Sequence, residues 1–307
     1  MKLQLYKMNM QQSHFGAGSL ATVEATPSAE RIFSALFIEA LKIHQEDEFL
    51  DLARSSDFVM SNGLPYLYGL YLPKPIGYPK KDFAITRDSR DKAKASKKLE
   101  FIHIDIFDEY INGELEDVRD LLAEEEELYI EENITKNAVK AHTDTELYRM
   151  SIVRYKEDVE VAFIATKDPL LEDLMARLQY SGIGGKRSVG YGLFDFSTEA
   201  LYPEVEKRIV LDSDKDLLLL TDSFPKDEDL DKSLEGADYL IEKSSGFAFS
   251  TAVEAEDRKA DLFKFKAGSC FKHSFKGDIY NLAPASYPHP VWNYAKPLFY
   301  ELEVDDE

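Results

Sequence analysis

A run of glycines between residues 182 and 192 restricts the fold more than any other feature of this sequence. Five of these eleven residues are glycine, in the order Gly-Ile-Gly-Gly-Lys-Arg-Ser-Val-Gly-Tyr-Gly. Glycine loses more conformational freedom on folding than other residues, so this density indicates a backbone with no room for side chains. The pattern predicts a loop in which Gly184 and Gly185 offer N–H groups to a phosphate while Lys186 and Arg187 supply positive charge. On spacing alone, a tight turn with incidental basic residues stays open.

The surroundings of this loop exclude two common phosphate-binding motifs. A Walker loop requires a glycine where Tyr180 stands and a serine or threonine in place of Arg187. A dinucleotide-binding fingerprint follows a strand and opens a helix. Here a predicted helix begins at Pro169 and is stopped by Gly182, so a helix leads into the loop. The chain therefore carries neither motif.

The order of the predicted elements indicates an α+β fold. Apolar periodicity predicts, in chain order, a strand at 3–7, a helix at 28–44, a hairpin of strands at 147–155 and 159–164, a helix from Pro169, and a strand at 189–197. The segment Thr26-Pro27-Ser28 offers an N-cap for the first helix, followed by a proline in its first turn. The order strand–helix–strand–strand–helix–strand is that of the ferredoxin-like unit, the scaffold of RNA-recognition motifs.

We expect two ferredoxin-like domains, because 307 residues suit two cores better than one. The first covers residues 1–200, with a long insertion at about 60–145 and the glycine-rich loop at 182–192. The two halves show no clear sequence repeat, and the second, at 201–307, is more degenerate. It has predicted strands at 208–211, 217–221 and 298–302, a short helix at 227–234, and phenylalanines that alternate as in antiparallel hairpins.

The net charge of −21 opposes nucleic-acid binding as a whole, but the charge is unevenly distributed. Nine basic residues, among them Lys74, Lys80 and Lys81, lie between residues 70 and 99. Twelve acidic residues follow between 108 and 132, where we expect helix over about 107–127. The lysine-rich stretch at 80–98 has the composition of a flexible segment. Local patches decide binding, although both charge runs are also typical of solvated faces.

Cysteine usage and hydropathy predict a cytoplasmic protein. Cys270 is the single cysteine, which excludes an intramolecular disulfide and a thiolate metal cluster. No apolar run reaches the roughly 18–20 residues of a membrane helix, and the first residues lack the apolar run of a secretion signal. The histidines and carboxylates show no metal-ligand spacing, so we expect no metal and no cofactor.

Several sequence blocks give the chain a family resemblance. The glycine-rich loop resembles that of the RAMP superfamily of CRISPR proteins. Further blocks resemble the family of the fourth Csm subunit, the cap of type III-A interference complexes. They are His-Phe-Gly-Ala-Gly-Ser-Leu from His14, Ile-Phe-Ser-Ala-Leu from Ile32, Leu-Pro-Lys-Pro-Ile from Leu72, Lys-Ser-Ser-Gly-Phe from Lys243, and His-Pro-Val-Trp-Asn-Tyr-Ala-Lys-Pro from His289. The tail departs from the family pattern, in which we expect arginine at Asn293 and glycine at Ala295.

The resemblance implies a function that composition does not show. A member of this family is a subunit of a multi-subunit ribonucleoprotein in antiviral defence, and it binds the 5′ handle of the CRISPR guide RNA (crRNA). It joins the large polymerase-like Csm subunit to the first backbone RAMP subunit. Its first-domain insertion forms a thumb that kinks the guide, which by position is the basic stretch at 74–98 together with the residues after it.

These inferences predict a set of RNA-binding residues and no catalytic ones. The set is His14, Gly182, Gly184, Gly185, Lys186, Arg187, Ser188, Gly190, Tyr191, Phe247, Trp292, Lys74, Lys80 and Lys81. Tyr191, Phe247 and Trp292 are candidates for base stacking, although aromatic residues at such spacings also form cores. The alternative is a metal-independent RAMP endoribonuclease that cleaves repeat RNA with His14 as general acid or base.

Overall fold

The computed structural model describes residues 2–80, 87–115, 117–138, 146–248, 250, 252–253 and 257–302. The chain forms a mixed α and β fold with small antiparallel sheets. Its helices in this part of the chain are α1 (Ala29–Lys42), α2 (Glu46–Arg54), α3 (Arg87–Lys98), α4 (Phe107–Ile111), α5 (Val118–Glu126), α6 (Pro169–Ser181), α7 (Pro203–Arg208) and α8 (Asp227–Ser233). None of the helices in the described ranges is long and apolar enough to cross a bilayer.

The strands of the described residues are short except for one hairpin. They are β1 (Leu3–Asn9), β2 (Gln12–Ser13), β3 (Phe15–Gly16), β4 (Val23–Glu24), β5 (Leu64–Tyr66), β6 (Tyr71–Pro73), β7 (Phe101–His103), β8 (Tyr129–Ala138), β9 (Glu146–Tyr155), β10 (Glu160–Thr166), β11 (Asp195–Ala200), β12 (Ile209–Val210), β13 (Leu217–Leu219), β14 (Ile241–Ser244), β15 (Phe247–Ala248), β16 (Asp257–Arg258), β17 (Leu262–Phe265), β18 (Cys270–Phe271), β19 (Ile279–Asn281), β20 (Trp292–Tyr294) and β21 (Phe299–Glu301).

The first half of the chain is organised around a four-stranded antiparallel sheet with strand order β11-β1-β10-β5. Tyr6 on β1 faces Phe163 on β10, and both pack with α1 and α6 in one core. Leu5 and Ile164, on the opposite face, join a second core shared with β13 and β21 of the C-terminal part. Because both faces are covered, β10 is apolar along nearly its whole length.

The two helices on this sheet begin where the sequence predicts, with one difference in capping. Asp168 accepts hydrogen bonds from the amides of Leu170 and Leu171 and caps α6, which ends at Gly182 with a positive φ of 72°. The N-cap of α1 is Ser28, so Pro27 precedes the helix and the prediction of a proline in its first turn is wrong; the Ser28 side chain makes no capping hydrogen bond. Instead the amide of Ala29 donates to Oδ1 of Asn62, a residue 33 positions away in sequence.

The predicted hairpin of strands at 147–155 and 159–164 is wrong. The chain does turn at Asp158, which has a positive φ of 65°. However, β9 pairs with β8 over ten residue pairs and with β2, while β10 pairs with β1 and β5. The turn therefore joins two sheets. The pairing also places β5, which lies inside the predicted insertion at 60–145, in the central sheet.

Three other local predictions differ from the structure. The strand expected at 189–197 begins at Asp195, because Gly190 and Gly192 have positive φ angles of 92° and 72° that no extended strand contains. The acidic segment forms α4 and α5 in place of one helix, interrupted near Gly113, which has a φ of 68°. Residues 87–98 of the lysine-rich stretch form α3.

The C-terminal part contains a second antiparallel sheet with strand order β12-β21-β13-β18. The predicted closing strand is β21, which pairs with β12 and β13, and the predicted short helix is α8. Four phenylalanines lie in or near this sheet with ring centroids 5.1–6.3 Å apart, and they form a core of their own: Phe265, Phe271, Phe275 and Phe299.

A buried ion cluster fastens α1 to the C-terminal part. Glu30 accepts from Nζ of Lys264 at 2.5 Å and from Nζ of Lys259 at 2.9 Å. Asn293, where the sequence resemblance leads us to expect arginine, donates to Glu30 at 3.0 Å and to Ser244. Burial alone raises the pKa of Glu30, but the two ammonium groups outweigh it and hold that pKa far below its ordinary value. The tail residue Asn293 is only 2% exposed and its side chain hydrogen-bonds within the protein interior.

We predict that Glu30→Ala destabilises the protein by about 3–5 kcal/mol, because it leaves the Lys264 ammonium buried without its carboxylate. Chemical denaturation measures the change. Glu48→Ala, which removes an exposed glutamate from α2, is the matched control and costs less than about 0.5 kcal/mol. Equal effects of the two substitutions contradict the assigned role of Glu30.

The same cluster predicts acid sensitivity. The pKa of Glu30 lies lower in the folded than in the unfolded chain, so its stabilisation is complete above its ordinary value of 4.5 and is lost as the pH falls below it. The free energy of unfolding of the wild type should fall more steeply with decreasing pH in that range than that of Glu30→Gln. Parallel pH profiles contradict this assignment.

Candidate nucleic-acid interface

The glycine-rich loop is fixed to the sheet by its own backbone. The amide of Gly182 closes α6 by donating to the carbonyl of Leu178 at 2.7 Å. The amide of Ile183 donates to the carbonyl of Gly192 at 2.8 Å, and the amide of Gly192 donates to the carbonyl of Gln12 at 2.9 Å. The Ile183 side chain is fully buried beneath them. Both ends of the loop are thus held, and the residues between them project as a compact arch.

Side chains are excluded where this arch crosses the segment after β2. A Cβ added to Gly184 would lie 2.9 Å from the carbonyl oxygen of His14, and one added to Gly185 would lie 2.7 Å from the His14 ring. The amide of Gly185 donates to that same carbonyl at 2.9 Å. The predicted offer of this N–H to a phosphate is therefore wrong, since the fold already uses it. The glycines here are required by close backbone approach.

His14 is a fixed element of the same junction. Its Nδ1 lies 2.8 Å from the carbonyl oxygen of Ser151 on β9, and a carbonyl only accepts, so Nδ1 carries the proton. The residue is 5% exposed. His14 therefore ties the arch on one side to the long β8–β9 hairpin on the other.

The charged and aromatic side chains of this junction form a cation–aromatic cluster of Lys186, Tyr148, Lys136 and Tyr191. Nζ of Lys186 lies 5.2 Å from the centroid of the Tyr148 ring, and Nζ of Lys136 lies 5.2 Å from that of Tyr191. Tyr191 is 5% exposed and packs on Met150 and Ile152. Such contacts orient ammonium groups without neutralising them. Sequence reasoning misses Lys136 and Tyr148, because they reach the loop only through the hairpin.

The outer side of the arch is open. Ser188, Val189 and Gly190 are exposed, and Arg187 is half-buried with Nη1 3.4 Å from the Gly182 carbonyl. Residues Arg187–Val189 form one turn of 3-10 helix. The junction thus presents a rigid, narrow backbone flanked by two cations, which is the arrangement that suits a sugar-phosphate chain.

The other predicted RNA-binding aromatics lie on separate elements. Phe247 on β15 is 67% exposed, with the guanidinium of Arg258 5.8 Å from its ring centroid. Trp292 on β20 is half-buried against the core, and the guanidinium of Arg54 lies 4.6 Å from its ring.

The basic residues predicted near position 80 make internal contacts. Nζ of Lys74 donates to the carbonyl of Ser96 in α3, and burial lowers the pKa of Lys74. Nζ of Lys80 donates to Asp216 at 3.0 Å and so connects this stretch to the C-terminal part. Lys81 lies outside the described residues. Within the described ranges, no group of three or more His, Cys, Asp or Glu side chains is arranged to hold a metal ion.

Comparison with known proteins identifies the family. Residues 212–302 match the family model of the CRISPR Csm4 C-terminal domain. A protein of Streptococcus thermophilus named CRISPR system Cms protein Csm4 is 42% identical over 99% of this chain and 100% of its own length. The chain belongs to the Csm4 family. A Csm4 protein of Mycobacterium tuberculosis is 30% identical over 98% of both chains.

Solved structures share the fold of this Csm4 family member along its whole length. A chain of the Csm3–Csm4 subcomplex of the type III-A CRISPR-Cas interference complex superposes with a TM-score of 0.65 at 16% identity, covering 98% of this chain and 99% of the other. A chain of a Csm1–Csm4 cassette in complex with cA4 superposes with a TM-score of 0.63 at 14% identity, covering 100% of both.

Two glycines of the loop offer a matched pair of substitutions. Both Gly190 and Gly192 have positive φ, which costs an alanine about 1–2 kcal/mol. A Cβ on Gly190 meets open space, whereas one on Gly192 overlaps the carbonyl oxygen of Ile183. We predict that Gly192→Ala lowers the free energy of unfolding by at least about 2 kcal/mol more than Gly190→Ala. Equal losses in chemical denaturation contradict the assigned close approach.

Proposed function

We propose that this chain is a non-catalytic subunit of a type III-A CRISPR effector complex, where it binds the 5′ handle of the crRNA. In that role it joins the large polymerase-like subunit to the backbone. The Csm4 relatives span the whole chain, and solved structures show proteins of this fold with Csm3 and with Csm1. We expect the complex to act in the cytoplasm in antiviral defence.

One observation carries the RNA-binding part of the proposal: the arch of residues 182–192 keeps its outer side open while two cations flank it. Its inner side makes backbone hydrogen bonds with His14 and Gln12, which hold the conformation of the arch before any ligand binds. Lys186 and Arg187 then attract phosphates through their positive charges, and the exposed backbone of Ser188 to Gly190 allows the sugar-phosphate chain to approach closely. A preorganised site binds with a smaller entropy loss than a flexible loop.

We infer that the described sheets belong to two ferredoxin-like domains, residues 1–200 and 201–307. The strand order across the first sheet is β11-β1-β10-β5. Counted in chain order among these four strands, this is fourth, first, third, second, and two helices cover one face, as expected for that unit. The insertion then runs between β5 and β10. Its β8–β9 hairpin is a better candidate for the guide-kinking thumb than the stretch at 74–98, since α3 packs beside α5.

The negative net charge fits a subunit that receives its RNA within an assembly. A charge of −21 repels RNA at long range, so affinity depends on a local patch that the assembled particle presents. Exposed aromatic side chains such as Phe247 and Phe263, which are 67% and 55% exposed, then belong to surfaces that meet RNA or other subunits.

The test removes the two cations of the arch. We predict that Lys186→Ala with Arg187→Ala lowers retention of the guide in the purified complex by about 10- to 100-fold, because charge-assisted contacts are lost. Lys207→Ala with Lys232→Ala, which removes two exposed cations elsewhere, is the control for net charge. Guide occupancy of both double variants is measured over a salt titration. If the Lys186→Ala, Arg187→Ala variant retains as much guide as the control variant, the assigned role of the arch is overturned.

We also propose that His14 is a structural residue and not a general acid or base. Its Nδ1 proton is engaged with Ser151 and its ring is enclosed by the arch. We predict that His14→Ala loosens the arch and destabilises the protein by about 1–3 kcal/mol. With labelled repeat RNA and no metal, wild type and variant should both leave the RNA intact. Specific cleavage that disappears in His14→Ala supports the endoribonuclease alternative instead.

A further inference from the structure

The β14–β17 ribbon of the C-terminal part reverses the usual distribution of polar and apolar side chains. Its inner face carries Lys264 and Ser244, which are 2% and 8% exposed and hydrogen-bond to Glu30. Its outer face carries Ile241 and Phe263, which are 59% and 55% exposed. In an antiparallel ribbon that lies on a protein, apolar side chains normally face the interior and polar ones face water. Here the apolar side chains are the ones that face outward.

The strand register fixes these two faces. Ile241 lies opposite Phe265, and Lys243 lies opposite Phe263. Opposite residues share one face of an antiparallel pair, so these four side chains form a single stripe. The stripe begins inside the molecule, since Phe265 is 5% exposed and its ring centroid lies 5.1 Å from that of Phe271. The outer face therefore continues the phenylalanine core to a surface that the described residues leave uncovered.

One edge of the same ribbon is open. Strand β14 pairs with β17 and, among the described residues, with no other strand. The amide and the carbonyl of Phe265 are hydrogen-bonded to Ser223, on the side away from β14. Bonded and non-bonded pairs alternate along an antiparallel ladder, so the backbone groups of Ile241 and Lys243 point away from β17. No described residue outside the ladder bonds to them, and they offer two donors and two acceptors to a further strand.

The chemistry of this edge favours a polypeptide over RNA. Alternating N–H and C=O groups along an open strand match the backbone of another extended strand, as in β-strand addition. RNA requires positive charge, and here Nζ of Lys243 already lies 2.7 Å from the carboxylate of Asp261. Apolar side chains at alternate positions of an added strand would also cover Ile241 and Phe263.

The charge of the whole chain favours a different protein over a second copy. Two copies, each with a net charge of −21, repel each other as they approach. A strand whose polar side chains are basic or neutral does not meet this repulsion. The strand that fits this edge is therefore non-acidic, carries apolar residues at alternate positions and belongs to another protein.

We propose that the open edge of β14, with the exposed side chains of Ile241 and Phe263 beside it, is a docking site for an extended, non-acidic strand of a neighbouring protein subunit. Hydrogen bonds to the backbone of Ile241 and Lys243 hold the added strand, and burial of the two apolar side chains strengthens the contact. The inference rests on the proposed function, since it assumes that the chain is assembled with other subunits. It accounts for a ribbon that keeps Lys264 inside, on Glu30, and its apolar side chains outside.

Hydrogen–deuterium exchange of the peptide that contains β14 tests the site in the wild-type protein. In the free chain the amides of Ile241 and Lys243 should exchange freely, and in the assembled complex their exchange should slow by at least about 10-fold, because the added strand supplies acceptors. Unchanged exchange in a complex that assembles and retains its guide overturns the docking site and leaves the proposed function intact. A chain that does not assemble with the other subunits overturns the proposed function itself.

A substitution on the edge tests the same site from the other side. Lys243→Pro removes the outward N–H and keeps the bonds between β14 and β17, because an edge strand tolerates proline where its amide faces away. Affinity for the complex assembled without this subunit should fall about 5- to 150-fold, since a carbonyl of the partner is left without a donor. Lys243→Ala keeps the amide, is the matched control, and should change that affinity less than about 2-fold.

Equal affinities of the two folded variants contradict the proposal. Chemical denaturation shows whether both variants fold, and the exchange experiment on the wild type decides the question if Lys243→Pro does not.

Two other occupants of this face give different results. If it meets RNA, ultraviolet crosslinking of the complex attaches RNA to the peptide that carries Phe263, and Lys243→Pro has no more effect than Lys243→Ala. If a second copy occupies the edge, exchange of the β14 amides in the isolated chain slows as its concentration is raised. Either result overturns the inference.

Discussion

The contact between the glycine-rich arch and the segment Gln12–Phe15 is the constraint on which the rest of the structure depends. Gly184, Gly185 and Gly192 are glycines because backbone atoms or the His14 ring occupy the place of a Cβ. The hydrogen bonds from Gly185 to His14 and from Gly192 to Gln12 result from this close approach. The inner side of the arch is thereby part of the protein's own packing, and its outer side, flanked by Lys186 and Arg187, stays open.

This contact joins parts of the molecule that have separate cores. Through His14 and Ser151 the arch is attached to the β8–β9 hairpin, and Phe15, the residue after His14, pairs with Glu24 in the β3–β4 ribbon. On another side of the molecule, Glu30 with Lys264 and Lys259 fastens α1 to the C-terminal part. The arch and the hairpin therefore belong to one continuous set of contacts. A ligand that spans them meets a preformed surface.

The sequence predicts the local elements well and their partners poorly. Apolar periodicity predicts α1, α6 and β1, and proline and glycine mark where the helices start and stop. Both are short-range signals in the sequence. The pairing of β9 with β8 does not follow from these signals. A polar turn at Asp158 has the same sequence pattern whether the two strands that it connects pair with each other or belong to different sheets. Glycine density predicts the loop itself, but the use of the Gly185 amide depends on the carbonyl of His14, far earlier in the chain. Lys136 and Tyr148 escape prediction for the same reason: their neighbours are set by tertiary contacts.

The most direct test of RNA binding by the arch is photocrosslinking of the guide, labelled along its 5′ handle, within the assembled complex, followed by mass-spectrometric mapping of the attached peptides. We predict that handle nucleotides crosslink to peptides containing residues 182–192 and to the β9 strand that carries Tyr148. Handle crosslinks confined to other surfaces of the chain, with the arch peptides unmodified, contradict RNA binding by the arch.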